Sequence, residues 1–222
     1  MNETIWNKWI ADWTWILSIS KKRKWNYQPI EIKQKKDISE IEQLETDLGI
    51  KYPTEFKNIL INYSSAVKFG WQITNEETVG EFKHLFCGCG GVTAYRKNAY
   101  LWDFDNLSYL YKIYQGWLTD CYNDPKDEYG KHYYEKVPFI EVPNGDMIVF
   151  DSKGNVIYLS HDDGPLHGEK LADNFIEFII LWSNLACVGT ESEQLSVFYD
   201  YDKHKLADNH PKIERWKQWL EK

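Results

Sequence analysis

Three short β-rich runs in the second half of the chain constrain its fold more than any other feature. They are VPFIEV at 137–142, MIVF at 147–150 and VIYL at 156–159. The first connection contains NGD and the second contains SKGN, and short glycine-containing turns of this kind join antiparallel strands. The sequence therefore predicts an antiparallel sheet whose strands follow one another along the chain.

Two helical patterns around a tight corner precede these strands. In the segment 38–48, apolar side chains recur at three- and four-residue steps, which places them on one helical face. Gly49 can take the left-handed conformation that ends a helix, and Pro53 suits the first turn of a second helix that runs to Leu60. Two pairs have the spacing of a capping box for the first helix, Asp37 with Glu40 and Ser39 with Glu42. No residue of this corner suits catalysis or metal binding, so we interpret it as scaffold.

The other segments complete the prediction of the fold class. Further helices are predicted over 106–118, 174–185 and 211–221, a strand over 67–73, and a glycine-containing turn leading to a short strand over 87–95. A polar linker is predicted over 21–37 and a long exposed insertion over 119–136. Helices come first, hairpin strands next and helices last, which predicts an α+β fold with a curved, meander-like antiparallel sheet braced by helices.

The first helix of the chain is rich in tryptophan. An apolar stripe within residues 5–19 consists of Trp6, Trp9, Ile10, Trp13, Ile16 and Leu17. Charged residues interrupt this run and the basic KKRK at 21–24 follows it, so we predict neither a signal peptide nor a membrane span. Two interpretations remain open: the stripe packs on the domain, or it lies on an anionic membrane surface with KKRK at the headgroups.

The charge of the chain is uneven, which bears on its partners. The net charge is -8, yet residues 1–36 carry eight basic and three acidic side chains, while the remainder carries 18 basic and 31 acidic ones. An acidic body argues against nucleic acid, because phosphate binding needs basic side chains. It suits a basic protein partner, since opposite fields speed encounter, although solubility alone also accounts for such a charge.

The cysteines do not form a metal-binding pattern. Cys87 and Cys89 make a C-G-C pair, while Cys121 and Cys187 are isolated. A zinc ribbon needs a second close pair, so we predict reduced thiols and no metal.

One loop combines histidine with carboxylates. His161, Asp162 and Asp163 are consecutive and His167 follows them, and these residue types can bind a divalent metal or transfer a proton. A metal-dependent hydrolase that uses this loop therefore stays as an alternative. No H-E-x-x-H, glycine-rich phosphate loop or G-x-S-x-G accompanies the loop, so we predict no cofactor and no enzymatic activity.

Two blocks of the sequence resemble a known family. The first is IEQLETDLGIKYPTEFKNIL at 41–60, and the second is VPFIEVPNGDMIVFDSKGNVIYLSHDD at 137–163, followed by LADNFIEFI at 171–179. These blocks are similar to the SUKH superfamily, which includes the yeast Smi/Knr cell-wall synthesis regulators and bacterial immunity proteins that neutralise polymorphic toxins. Gly145 with Asp146 before a hydrophobic strand, and Phe175 with Phe178 in a later helix, match its pattern well.

The resemblance implies a SUKH-like fold, a division of the chain and a class of function. An amphipathic helix and basic linker would occupy 1–36, the SUKH-like domain 37–187, and an extension with a helix 188–222. We expect a cytoplasmic, non-catalytic immunity protein that neutralises a cognate toxin, or another basic protein, by occluding it. A regulatory scaffold resembling the fungal members is the alternative. Neither nucleic-acid binding nor stable membrane insertion is expected.

The predicted partner surface combines carboxylates with tyrosines, because aromatic side chains often dominate interface energy. Its acidic residues are Glu76, Glu77, Glu81, Asp103, Asp105, Asp124, Asp127, Asp162 and Asp163. Its tyrosines, which are expected to act as anchors, are Tyr122, Tyr129, Tyr133 and Tyr134.

Overall fold

The computed structural model describes residues 1–89, 100–189 and 191–222. The α-helices of these residues are α1 (Glu3–Lys22), α2 (Ile38–Leu48), α3 (Thr54–Asn62), α4 (Leu107–Asp120), α5 (Phe175–Asn184), α6 (Ser192–Ser196) and α7 (Pro211–Glu221). The strands are β1 (Asn26–Ile32), β2 (Ala66–Gln72), β3 (Cys87–Gly88), β4 (Tyr100–Asp103), β5 (Val137–Glu141), β6 (Met147–Phe150), β7 (Val156–Leu159), β8 (Lys170–Ala172), β9 (Tyr199–Asp200) and β10 (Lys205–Leu206). Most of the turn and strand predicted over 87–95 lies outside the described residues.

The predicted hairpins form a four-stranded antiparallel sheet in the order β5-β6-β7-β8. Met147 of β6 pairs with Glu141 of β5 on one side and with Leu159 of β7 on the other. Each strand pairs with the next one along the chain, as a meander does. The predicted α+β class with a meander-like antiparallel sheet and bracing helices is confirmed.

Both faces of this meander are covered by other elements, and this arrangement positions the candidate site. Successive side chains of a strand point to opposite faces. Ile148 and Phe150 join the main hydrophobic core together with α5, whereas Met147 and Val149 join a smaller core together with Tyr114 of α4. Consequently β6 and β7 are buried along their whole length, and the chain after α4 lies over the second face.

A second sheet contains a strand that the sequence analysis missed. β2 pairs with β1 along one edge, and with β3 and β4 along the other. Asn26–Ile32 therefore form a strand within the segment 21–37 that was predicted to be a linker. Most of this strand is exposed and its register shifts between Gln28 and Glu31, so its apolar residues do not follow one continuous alternation of the kind by which strands are recognised.

The tryptophan-rich helix α1 packs into the main core. Trp9, Trp13 and Ile16 are completely buried. The Trp13 indole Nε1 donates a hydrogen bond to Ser183 Oγ at 2.9 Å, and its ring centroid lies 5.5 Å from that of Phe69. Of the two open interpretations, packing on the domain is confirmed. In the described part of the chain, every helix is too short or too polar to cross a bilayer.

Helix α2 begins and ends as predicted, whereas Pro53 is the N-cap of α3 and so precedes the first turn that was predicted for it. Asp37 and Glu40 form the capping box that begins α2, and Gly49 ends that helix with a φ of 68°.

A buried carboxylate of α2 holds the segment between α2 and α3. Glu45 is 1% exposed and accepts hydrogen bonds from Lys51 Nζ at 2.8 Å and from the Tyr52 backbone amide at 2.9 Å.

Replacing Glu45 with glutamine should weaken the corner in a pH-dependent way. Glutamine can still accept from Tyr52, but its neutral amide loses the charged pairing with Lys51 and Lys57, so we expect a loss of roughly 2 kcal/mol in the free energy of unfolding near neutral pH. Burial opposes ionisation of Glu45, but hydrogen bonds from Lys51, Tyr52 and Lys57 outweigh it and lower the pKa of the carboxyl below 4.5.

This lowered pKa sets the pH range of the effect. A carboxyl with a depressed pKa in the folded state contributes its stability above the unfolded value of 4.5, and that contribution is lost as the pH falls through the folded pKa. The difference between Glu45→Gln and the unaltered protein, measured by urea denaturation from pH 7 to pH 3, should therefore shrink on acidification. Glu42→Gln, on the exposed face of the same helix, is the control and should change little. A difference that is constant with pH would contradict this account.

Candidate partner-binding surface

The thirteen residues predicted for the partner surface fall into three groups in the structure. The first group is Glu76, Glu77 and Glu81 in the loop after β2. The second is Asp103 and Asp105 at the end of β4. The third is Tyr122, Asp124, Asp127, Tyr129, Tyr133, Tyr134, Asp162 and Asp163. Only this third group, formed by the segment after α4 and the turn after β7, combines tyrosines with carboxylates as the sequence analysis expected.

In the first group, Glu76 is engaged by the N-terminal part of the chain. Arg23 forms a bidentate pair with it, with Nε 2.7 Å from Oε1, and Trp25 Nε1 donates to the same carboxylate at 3.1 Å. The hydrogen bond from Arg23 lowers the pKa of Glu76 below its usual value. The guanidinium also lies 4.7 Å and 4.6 Å from the ring centroids of Trp25 and Trp219. Glu76 therefore serves an internal contact with Arg23, and that arginine joins the N-terminal part of the chain to α7.

Glu81 is engaged in the same way by the C-terminal helix. Arg215 of α7 donates to its two carboxylate oxygens at 2.6 Å and 2.9 Å, and this pairing lowers the pKa of Glu81. Glu77 is exposed between the two paired glutamates. All three glutamates are exposed, but two of them are already paired with arginines, so Glu77 is the carboxylate of this group that a partner could contact without breaking an ion pair.

The second group is neutralised by lysines. Lys33 Nζ lies 3.2 Å from Asp103 and 3.3 Å from Asp105, and Lys36 Nζ lies 3.2 Å from Asp105. Burial raises the pKa of Asp103, whereas hydrogen bonds from Lys36 and Lys33 overcome burial and lower the pKa of Asp105. These two carboxylates fasten β4 to the segment after β1.

The third group is centred on four stacked rings, which we call the tyrosine–histidine cluster: Tyr122, Tyr129, Tyr133 and His167. The ring centroids of Tyr122 and Tyr133 are 4.0 Å apart, and those of Tyr129 and His167 are 3.7 Å apart, with nearly parallel planes in both pairs. The ring centroid of Tyr129 lies 5.7 Å from that of Tyr122, so the two stacked pairs are in contact with each other.

The phenol groups of this cluster all hold the turn that follows β7. Tyr122 donates to the His161 carbonyl at 2.8 Å, and Tyr129 donates to the Ser160 carbonyl at 2.6 Å and to that of Asp162. Burial raises the pKa of Tyr129 to about 12, so its hydroxyl stays protonated and remains a donor. Three backbone carbonyls of one turn are thereby fixed by side chains from another segment.

Tyr133 takes part in this network from beneath the surface. Its hydroxyl also donates to the Ser160 carbonyl, and its side chain is completely buried. This burial corrects the expectation that Tyr133 anchors a partner. It also corrects the prediction that 119–136 is wholly an exposed insertion, because the turn Gly130–Tyr133 packs against the second face of the meander.

The ring of His167 is held by neighbouring backbone groups through both of its nitrogens. His167 Nδ1 accepts from the Ser160 amide at 3.1 Å, and Nε2 donates to the Tyr129 carbonyl at 3.0 Å. Burial lowers the pKa of His167, which keeps the ring neutral. Because both nitrogens are occupied, His167 has no lone pair left for a metal or a substrate proton. Among the described residues, no group of three or more His, Cys, Asp or Glu side chains is arranged to hold a metal ion.

A buried aspartate that the sequence analysis did not place in the site supports the same turn. Asp146 is completely buried and accepts hydrogen bonds from Tyr158 Oη at 2.7 Å, Asn144 Nδ2 at 2.9 Å, the His161 amide at 2.9 Å and His161 Nδ1 at 2.6 Å. The signal for it was the Gly145-Asp146 pair, which entered the sequence analysis only as part of the family pattern. The structure joins this aspartate to Tyr158 and His161 on the far side of the hairpin.

The carboxylates of the third group have two different roles. Asp124 and Asp127 accept backbone amides of their own turns, from Lys126 at 2.9 Å and from Gly130 at 2.6 Å respectively, and so shape the segment. The side chain of Asp162 is 90% exposed, and Asp163 is exposed as well. Tyr134 is half-buried and donates to the Tyr122 carbonyl at 3.0 Å. The surface therefore has a fixed aromatic base and an exposed acidic rim.

Comparison with known proteins agrees with the resemblance described above. A sequence model of the SMI1 / KNR4 family (SUKH-1) matches residues 37–181. The match runs from the start of α2 into α5 and includes the meander and the tyrosine–histidine cluster. Neither the curated proteins nor the solved structures contain a match to the chain.

Proposed function

The chain belongs to the SMI1/KNR4 family (SUKH-1), and from this premise we propose that it is a non-catalytic protein-binding domain that acts as an immunity protein. It would neutralise a cognate bacterial toxin by covering the surface the toxin needs. The proposal assigns this role to the domain 37–187 and places the protein in the cytoplasm.

The observation that supports this proposal most directly is the rigidity of the acidic surface around the tyrosine–histidine cluster. Interfaces gain affinity when the contact surface is already ordered before binding, because less conformational entropy is lost. Here stacked rings and hydrogen bonds to consecutive carbonyls hold the turn that carries Asp162 and Asp163. The sequence of the segment 120–135 together with 160–168 contains seven carboxylates and two lysines, which favours a basic partner.

The arrangement of the histidine loop supports a non-catalytic role. A general base needs a nitrogen that can reach a substrate proton, and both nitrogens of His167 are bonded to backbone groups. His161 is held through Nδ1 by the buried Asp146, whereas its Nε2 lies 4.0 Å from Asp162 and remains able to accept a proton. What argues against the metal-dependent hydrolase is the donor set, because the described residues bring no three His, Cys, Asp or Glu side chains together to hold a metal ion.

Co-expression with the toxin encoded beside its gene tests the proposal. We expect cells that carry both proteins to survive, and the two proteins to co-purify as a complex whose affinity falls as salt is raised, because exposed charge pairs are screened. Loss of protection in a double variant Asp162→Asn/Asp163→Asn, with the matched variant Asp202→Asn on an unrelated exposed turn still protective, would locate the contact. A chain that neither protects nor co-purifies would refute the immunity role.

A further inference from the structure

A shallow depression of about 350 Å³ lies beside the tyrosine–histidine cluster. It is lined by Glu128, Tyr129, His132, Asp163, Gly164 and His167. The rings of Tyr129 and His167 are stacked, and the His132 ring meets that of His167 edge-on at 5.3 Å. The depression is therefore lined by aromatic side chains, and two carboxylates belong to its lining.

Close packing fixes the shape of this depression. Gly168 has a φ of 76°, and a side-chain carbon at this position would lie 2.3 Å from the His132 ring. Glycine is thus required both by the backbone conformation and by the ring that packs on it. Burial lowers the pKa of both His132 and His167, so neither ring adds positive charge near neutral pH.

The two carboxylates of the rim are available to a partner. The structure gives the exposed side chain of Asp163 no partner among the described residues. Glu128 pairs with Lys131, but the Glu128 side chain is 91% exposed. A surface ion pair of this kind contributes little to stability, so it can be exchanged for a contact across an interface.

We infer that this depression receives an arginine side chain of the partner protein. A guanidinium stacks on aromatic planes and forms bidentate bonds with carboxylates, and it is more weakly hydrated than an ammonium group. Tyr129, His132 and His167 offer aromatic side chains against which the guanidinium can pack, and Asp163 and Glu128 offer the carboxylates. Lysine would gain the charge contact but little from the aromatic lining. The identity of the partner rests on the proposed function, whereas the chemistry rests on the depression itself.

Peptide titration of the full chain tests this inference. The probes are acetyl-Gly-Arg-Gly-amide, the same peptide with lysine, and the same peptide with citrulline, which keeps the shape of arginine without its charge. We expect the arginine peptide to shift the backbone NMR signals of residues 128–132 and 163–168 and to bind about 2–5-fold more tightly than the lysine peptide. The citrulline peptide should bind more weakly than either charged peptide.

Variants of the rim provide the second measurement. Asp163→Asn and Glu128→Gln should each weaken the arginine peptide by about 2–5-fold, while Glu77→Gln, an exposed carboxylate on a different loop, should leave it unchanged. Equal binding of the arginine and lysine peptides, or shifts that spare these residues, would overturn the inference.

The arginine site and the immunity role can be refuted independently of each other. A chain that binds the arginine peptide but neutralises no toxin refutes the immunity role alone, and a chain that protects cells equally well after Asp163→Asn/Glu128→Gln refutes the arginine site alone.

Discussion

Replacing Asp146 with alanine is expected to lower the free energy of unfolding by about 3–5 kcal/mol, because four hydrogen-bond donors lose one buried acceptor. Tyr158, which is completely buried, would keep a hydroxyl with no partner. The His161 amide and ring would lose their contacts with the same carboxylate. Urea denaturation followed by tryptophan fluorescence measures the change.

Two further variants separate the role of Asp146 from a general effect of mutation in this hairpin. Asp146→Asn keeps the shape but turns an amide donor toward groups that also donate, so we expect a smaller loss than with alanine. Asp162→Asn changes a side chain that is 90% exposed and should alter the free energy of unfolding by less than about 0.5 kcal/mol. If Asp146→Ala were as stable as Asp162→Asn, the aspartate would not be the centre of the turn.

Replacing Trp13 with alanine is expected to lower the free energy of unfolding by about 3–5 kcal/mol as well, since truncation of a buried tryptophan removes a large apolar contact and leaves a cavity. Trp13 is completely buried, packs on Phe69, and donates to Ser183 Oγ. This residue lies outside the segment 37–181 that matches the family. A large loss would show that helix α1 is an integral part of the core.

The control for Trp13 is its neighbour on the exposed face of the same helix. Thr14→Ala removes one side-chain hydrogen bond to the Ile10 carbonyl and should change stability by less than about 0.5 kcal/mol. If Trp13→Ala does not fold, Trp13→Phe keeps an aromatic ring but loses the bond to Ser183, and should still unfold at lower urea than the unaltered protein. Equal stability of Trp13→Phe, or of Trp13→Ala, and the unaltered chain would contradict the packing described here.

Helices and hairpins were predictable because their signals lie close together in the sequence. The capping box of Asp37 and Glu40 spans three residues, and Asn174 begins α5 by accepting the Glu177 amide. The hairpins follow from short β-rich runs joined by glycine-containing turns of four or five residues. Such patterns depend on the geometry of a single turn or pair of strands. The residues that form each one are near neighbours in the sequence, so the pattern can be recognised without the structure.

The candidate site was predictable in its residue types and only partly in its arrangement. The structure brings Tyr122 and Tyr129 together with the turn that carries Asp162 and Asp163, while their role in binding a partner stays a prediction. The pairing of Glu76 with Arg23 and of Glu81 with Arg215 was not predictable, because each arginine is more than 50 residues from its glutamate. Formal charge in a sequence does not distinguish a free carboxylate from one that is already neutralised.

By itself, the sequence determined the α+β class, the meander, the helical corner and the acidic character of the chain, since each follows from local periodicity or from composition. Only the tertiary structure decided that β1 is a strand, that Tyr133 is buried, and that Asp146 and three phenols hold one turn. The physical reason is the range of the interactions. Trp13 and Ser183 are 170 residues apart, and their contact exists only when the whole core is assembled.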